Sequence, residues 1–398
     1  MTDRSNDALP ILIAGGGIGG LAAALALSRK GRRVHVLEQA REFGEVGAGI
    51  QLAPNVFRMF AALGLTEAIH HVAFFPEHLV MKDGLTGQEI TRVAVGSETF
   101  RARYKFPYGV IYRVDLLDVL LHACRQSPLI ALSTRQRVTG FHEDGDRVVV
   151  TTEGGTSFEG YALVGADGMW SRLREAIVAD GKPSVAGHIA YRAVLPIAEV
   201  EPEYRPNDVV LWAGPKTHLV HYPLRRGELY NLVAVFHSDR YEEGWNVFGD
   251  TAELNERFRH AHPTVKLLLG KINQWKMWVL CDREPIRNWT RGRVTLLGDA
   301  AHPMLQYLAQ GAGMAMEDAV VLADKVAAAD DDFAAAFRAY NEERYLRTAR
   351  VQLYARLYGE FYHAEGVRAE LRNELLRPVP GKPAGEGMAW LYDGVAAA

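Results

Sequence analysis

The stretch Pro10-Ile11-Leu12-Ile13-Ala14-Gly15-Gly16-Gly17-Ile18-Gly19-Gly20-Leu21-Ala22-Ala23-Ala24-Leu25-Ala26-Leu27-Ser28 decides the fold. Pro10 to Ala14 is an apolar run of strand length, and Leu21 to Ser28 is an Ala/Leu run of helical character closed by Arg29, Lys30 and Gly31. Arg33 to Glu38 reads as a second strand. Strand, glycine turn, helix and strand in so short a space form a βαβ unit with parallel strands. In that setting Gly15-x-Gly17-x-x-Gly20 reads as a dinucleotide fingerprint. Gly15 makes the tight turn, Gly17 lets the backbone approach a pyrophosphate, and Gly20 lets the helix pack closely on the strand. The helix N-terminus offers unpaired N–H groups and a partial positive charge to the phosphates. Glu38, 18 residues beyond Gly20, is placed to accept hydrogen bonds from an adenosine ribose. A structural glycine turn without a ligand is the plainer alternative.

The same stretch could mislead a hydropathy scan, because Ala8 to Ser28 is 21 residues without a charge. Five glycines within it, each costing about 1 kcal/mol relative to alanine in a helix, oppose a membrane span. A signal peptide is opposed by the lack of a basic lead-in, since only Arg4 precedes, beside Asp3 and Asp7. The remaining 398-residue composition is that of an ordinary globular chain, 48% hydrophobic and 23% charged, with a net charge of −3. That balance excludes the basic excess of a nucleic-acid binder. Two cysteines, Cys124 and Cys281, exclude a disulfide framework and a cysteine-built zinc site, so a cytoplasmic location is expected. His70-His71 and His260-x-His262 lack acidic or cysteine partners at metal-ligand spacing, so no metal site is expected.

Further along, Tyr161 to Gly165 and Arg293 to Leu297 are short apolar strands that run into the turns Ala166-Asp167-Gly168 and Gly298-Asp299-Ala300. Residues 180–280 are rich in aromatic and β-branched residues with alternation, which predicts an antiparallel sheet. From Met314 to Ala328, and again from Phe333 to Leu376, the spacing predicts helix, broken by Pro378, Pro380, Gly381 and Pro383. The expected fold is α/β: a Rossmann-like dinucleotide-binding domain with a parallel sheet (1–180 and 281–345), interrupted by a mostly antiparallel substrate-binding domain (181–280), with a C-terminal helical segment (346–398).

Three motifs in order resemble one family. Besides the glycine turn, Gly165-Ala166-Asp167-Gly168-Met169-Trp170-Ser171-Arg172 is similar to the DG motif of the FAD-dependent aromatic hydroxylases of the para-hydroxybenzoate hydroxylase type, and RVTLLGDAAHPMLQYLAQGAGMAMED (Arg293 to Asp318) is similar to their second FAD motif. The resemblance implies bound FAD, transient docking of NADH in preference to NADPH, and a flavin hydroperoxide that hydroxylates a small aromatic acid with O2. It implies that Asp299 holds the ribityl chain, and that Gly311, Ala312 and Gly313 face the flavin's pyrimidine edge. It places Arg113 near the ribityl and phosphate region, Arg41 near the adenosine end and Gln51 along the cofactor. Asp167 would couple cofactor and pyridine nucleotide, or simply cap the following helix. The plainer alternative for Arg41 and Arg113 is a surface salt bridge.

A ring attacked by an electrophilic oxygen reacts best as a phenolate, so a base near the hydroxyl is expected. In His218-Leu219-Val220-His221-Tyr222, positions 218, 220 and 222 share one strand face, bringing an imidazole that titrates near pH 6.5 beside a phenol. Within the family, the 3-hydroxybenzoate 6-hydroxylases are most similar here, with HPxLQY at His302 to Tyr307 and histidine and tyrosine four residues apart. That resemblance implies that His218 takes the hydroxyl proton, Gln306 flanks it, and Tyr222 orients the substrate, giving gentisate. A salicylate 1-hydroxylase or a hydroxynicotinate hydroxylase is the alternative within the family; outside it, a flavin-binding redox protein without oxygenation. Tyr354, Tyr358, Phe361 and Tyr362 suggest a buried interface, hence a homodimer.

Overall fold

The computed structural model describes residues 9–44, 47–239, 247–377 and 386–395. Pro378, Pro380, Gly381 and Pro383 lie outside the described residues. A six-stranded sheet has the order Thr290–Arg291, Val294–Leu296, Ala162–Gly165, Ile11–Ala14, Val34–Leu37, Ile130–Ser133. All its pairings are parallel except that of the two-residue edge strand Thr290–Arg291. Ile11, Leu12, Ile13 and Ala14 are all buried, as a parallel strand covered on both faces requires. Each large aliphatic side chain so buried stabilises the fold by about 1.5–3 kcal/mol.

The first helix runs Ile18–Arg29, earlier than its apolar run predicts, because Gly19 and Gly20 belong to its first turn. Its Ala-rich surface is buried on almost every side, which lets it lie close against the helices Gly311–Ala328 and Arg113–Gln126 as well as the sheet. Cys124 sits in that contact, its thiol bonded to the Leu21 carbonyl at 3.3 Å and its pKa pushed up to about 12 by burial. It is a core residue. No helix among the described residues is long and apolar enough to cross a membrane.

The second layer is an eight-stranded sheet, ordered Val247–Phe248, Lys276–Asp282, Ser184–Pro196, Leu229–His237, Thr217–Leu224, Val209–Gly214, Leu79–Asp83, Glu89–Val93. All pairings are antiparallel except Val209–Gly214 with Leu79–Asp83. Six strands come from the region read as a substrate sheet; the last two come from before residue 100 and extend it. One face packs Tyr191, Trp212, Leu219, Leu232, Phe236 and Trp275 under the helices Thr251–Arg257 and Pro263–Gly270. The opposite face looks toward the six-stranded domain.

The apolar stretch from Phe333 divides into helices Phe333–Tyr362 and Val367–Leu376. Between them His363 closes the first helix and Gly366 turns the chain at φ 55, a left-handed conformation that suits glycine. Tyr354, Tyr358, Phe361 and Tyr362 are half-buried within the chain: Tyr354 meets Trp390 at 5.0 Å and Tyr358 meets Tyr362 at 5.8 Å. They are spent on intrachain packing, and the exposed apolar residues of this helix are instead Leu346, Leu353 and Leu357.

Candidate active site

A cavity of about 1000 Å³ lies between the two sheets and runs from the glycine turn to the middle of the eight-stranded sheet. Its cofactor end is made largely of backbone. Gly15 sits at φ 108, where a Cβ would stand 2.3 Å from the Ala166 carbonyl oxygen; at Gly20 a Cβ would stand 1.9 Å from the Gly15 carbonyl oxygen. The motifs Gly15–Gly20 and Gly165–Gly168 therefore meet through backbone, with no room for a side chain at Gly15 or Gly20. Gly17, Ile18 and Gly19 reach the cavity, as do Gly311 and Ala312. Both helices that start there, Ile18–Arg29 and Gly311–Ala328, lack a side-chain cap and carry no acid in the first turn. Two uncapped N-termini aimed into one cavity leave N–H groups for an anionic or electron-rich ligand.

Asp299 and Arg113 line the same region, with Asp299 Oδ1 3.9 Å from where a Cβ of Gly311 would be. Enclosure by protein raises the Asp299 carboxyl pKa, against the pull of His302 and Arg113. The loop that carries Asp299 is anchored from behind by buried ion pairs. Asp318 accepts from Gly298 N at 3.0 Å, His302 Nε2 at 2.6 Å and Arg344 Nε at 2.7 Å. Arg344 and Arg347 also hold Glu317. Burial alone would raise the Asp318 carboxyl, but His302 and Arg344 outweigh it and the net shift is downward. His302 is thus an anchor, not a cavity residue.

Gln51 lines the cavity and accepts from Tyr108 Oη at 2.7 Å. Glu38 stands beyond the lining, where it accepts from Gly16 N at 2.6 Å and Ala40 N at 2.7 Å, and Arg41 is exposed past it. Asp167 caps the helix Arg172–Ile177, accepting from Ser171 Oγ at 2.6 Å and Arg172 N at 3.0 Å, while its neighbours Ala166 and Gly168 form the wall. Gly313 is buried against Gln310 and Val56 and does not reach the cavity. FAD fits this end: turns that exclude Cβ atoms, two free helix starts, an acid and an arginine match a dinucleotide that is anionic at its centre and polar along its chain.

The other end is built of side chains from the sheet. His218, Val220 and Tyr222 line it together, as strand alternation predicts, and His221 points away to Trp212 Nε1 at 2.9 Å and Tyr230 Oη at 2.6 Å. Gln306 lines the same end, and its Oε1 accepts from the Arg192 guanidinium. His218 differs from expectation: burial, with the His188 imidazole adding to it, lowers its pKa from 6.5 to about 3, so the ring is neutral. Its Nδ1 is 2.7 Å from Nε2 of His363, which leaves Nε2 for the cavity. Burial raises the Tyr222 phenol, with Arg192 opposing. Gly49 is forced to be glycine by this ring, since a Cβ would lie 2.6 Å from Tyr222.

Sequence reasoning missed Arg192, His363, His188 and His237. Arg192 is a cavity cation whose pKa is pushed down to about 10 by burial and by Arg113, and its Nε has no hydrogen-bond partner among the described residues. It sits in a strand read only as sheet, and nothing nearby in sequence marks it.

A fold of this kind with such a cavity defines a dinucleotide-binding protein, and the comparisons specify FAD. The FAD binding domain family profile matches residues 8–353. The chain is 45% identical over 383 residues to 3-hydroxybenzoate 6-hydroxylase 1 of Aquipseudomonas alcaligenes, covering 96% of this chain and 97% of the relative. It is 45% identical over 393 residues to 3-hydroxybenzoate 6-hydroxylase of Polaromonas naphthalenivorans, covering 98% and 97%. Among solved structures, Klebsiella pneumoniae HpxO complexed with FAD and uric acid superposes with a TM-score of 0.85 at 26% identity, over 97% of this chain and 96% of that one. The chain belongs to the FAD binding domain family.

Proposed function

We propose that this protein is an FAD- and NADH-dependent monooxygenase that hydroxylates 3-hydroxybenzoate at C6, para to its hydroxyl, to give gentisate. The observation that carries the reading is His218, a neutral imidazole on the cavity wall with Nδ1 committed to His363 and Nε2 open to a substrate hydroxyl. When bound, FAD supplies the transfer of electrons from NADH and the activation of O2. His218 Nε2 accepts the phenol proton, which places negative charge on the ring carbons ortho and para to the hydroxyl. Burial penalises a lone imidazolium, but an imidazolium beside a phenolate forms a pair whose charges offset each other.

Arg192 supplies the counter-charge for an anionic substrate. A buried guanidinium without an ion-pair partner among the described residues is costly, and a benzoate removes that cost. Tyr222 presents its hydroxyl beside Arg192 as an orienting donor, and Gln306 fixes the Arg192 guanidinium by accepting a hydrogen bond from it. The apolar wall of Leu211, Val220 and Val233 keeps water from the ring.

The test is to give the holoenzyme 3-hydroxybenzoate, salicylate or 4-hydroxybenzoate with NADH and identify products by chromatography. Gentisate from the first is expected; catechol from salicylate, or NADH oxidation with no hydroxylated product, overturns the reading. His218→Ala should lower hydroxylation by about 100- to 10,000-fold, the usual contribution of a general base, while the flavin stays bound. A homodimer belongs to the same proposal, joined through exposed Leu346, Leu353 and Leu357, and a monomer alone in sedimentation velocity would remove it.

A further inference from the structure

Behind His218 three more histidines meet. His188 and His237 stand directly opposite each other on the paired strands Ser184–Pro196 and Leu229–His237, so their side chains share a face, with ring centroids 4.1 Å apart. His363, at the end of the helix Phe333–Tyr362, places its ring centroid 5.0 Å from each of them. One nitrogen from each of the three lies within 4.8 Å of the others. His363 Nδ1 and His237 Nε2 are 3.1 Å apart, close to the separation of about 3.3 Å between two nitrogens of a tetrahedral zinc shell.

The surroundings suit a metal. Histidines that bind metals have their second nitrogen held by a partner. Here His188 Nδ1 meets Tyr307 Oη at 2.6 Å, and His363 Nε2 meets His218 Nδ1 at 2.7 Å. All three rings are neutral, as ligation requires, because burial lowers each of their pKa values. His237 is half-buried and gives a route from solvent. Charges around it oppose one another, Glu360 and Glu365 against Lys216 and Arg257, so neither sign dominates the approach.

We propose that His188, His237 and His363 form a site for one divalent transition metal of the zinc class, with the fourth position open to water, and that its occupation resets His218. Imidazole donors of this number suit zinc and its neighbours in the transition series. A metal on His363 Nδ1 leaves the ring proton on Nε2, which then donates to His218 Nδ1. The His218 proton accordingly sits on Nε2 and faces the cavity as a donor. Without metal, His218 Nδ1–H donates to His363 Nε2 and His363 Nδ1–H to His237 Nε2, so His218 Nε2 is an acceptor. No net proton is gained or lost between the two arrangements. The metal therefore converts the residue that accepts the phenol proton into one that cannot. This last consequence rests on the function proposed above; metal binding does not.

The experiment is equilibrium dialysis of the flavin-loaded protein against micromolar Zn2+, with the visible spectrum of the Co2+ form read beyond the flavin band. One equivalent and a tetrahedral cobalt spectrum are expected, with affinity falling at least about tenfold in His237→Ala and in His188→Asn. His78→Ala dismantles the other triad of potential ligands among the described residues, Glu77, His78 and Asp208, and should leave uptake unchanged. No stoichiometric uptake, or uptake that survives His237→Ala, or uptake lost in His78→Ala instead, overturns the site. A retained flavin spectrum in each variant reports that it folds. Zn2+ should slow hydroxylation in the unaltered enzyme and not further slow His237→Ala. Binding with no such inhibition keeps the site and overturns its control of His218. If 3-hydroxybenzoate is not hydroxylated at all, dialysis and the cobalt spectrum still decide the site.

Discussion

The two ends of the cavity are made differently. The cofactor end uses backbone: a glycine turn that admits no Cβ at Gly15 or Gly20, two uncapped helix starts and one acid on a tied-down loop. The substrate end uses side chains: Arg192, His218 and Tyr222 from two strands of the eight-stranded sheet, Gln306 from the loop between the ends, and a distant helix cap, His363, behind His218. Backbone-built recognition tolerates almost no substitution but serves any ligand with the same phosphates. Side-chain recognition tolerates change, and each change alters which ring is accepted.

The largest expected effect therefore falls on the backbone end. In Gly20→Ala the new methyl would lie 1.9 Å from the Gly15 carbonyl oxygen and 3.0 Å from its carbon, backbone atoms that cannot swing aside as a flexible side chain could. Overpacking of this kind costs about 1–3 kcal/mol in an adaptable core, and this site is less adaptable. FAD affinity by fluorescence titration should fall by about 100-fold or more, with the purified protein largely colourless. A variant that keeps its flavin would break the comparison, because the cofactor end would then be as yielding as the substrate end.

Arg192→Met sharpens it from the other side, with a smaller effect. The substitution keeps volume and removes a cation that bonds Gln306 and lines the cavity. Losing a charge-assisted hydrogen bond costs about 1.5–3 kcal/mol, so KM for 3-hydroxybenzoate should rise by about 10- to 100-fold. FAD affinity should hold. Equal losses of substrate and flavin binding would show that the two ends are not independent.

The difference between the ends also explains what the sequence revealed. The parallel sheet, the glycine turn and the flavin loops are local in the chain, so their spacing carries their geometry. The pairing of His218 with Tyr222 was readable for the same reason, since strand alternation alone puts them together. The partners of His218 were not. His188 and His237 meet only through the register of two strands some fifty residues apart, and His363 joins them because a helix that the apolar pattern continues through breaks at Gly366. Likewise Leu79–Asp83 and Glu89–Val93 enter the substrate sheet through a parallel pairing that no local pattern encodes. The titration of His218 near 6.5 is a solution expectation; burial, with the His188 imidazole adding to it, moves it to about 3, and neither is visible in a single strand.

That burial gives the smallest of the expected effects. His188, held down to about 4, and His218, held down to about 3, are neutral in the folded protein, whereas in the unfolded chain each titrates near 6.5. Between those values the unfolded chain binds more protons, so stability is fullest above about pH 6.5 and is lost as pH falls toward 4. Denaturant unfolding from about pH 7 to about pH 5 should show this loss, and His188→Asn should flatten it by about 1 kcal/mol, one buried ring having been removed. His260→Asn, at an exposed position, should leave the slope as it was. If both substitutions flatten it equally, acid sensitivity is a property of the whole surface and the neutral histidines behind the substrate end do not set it.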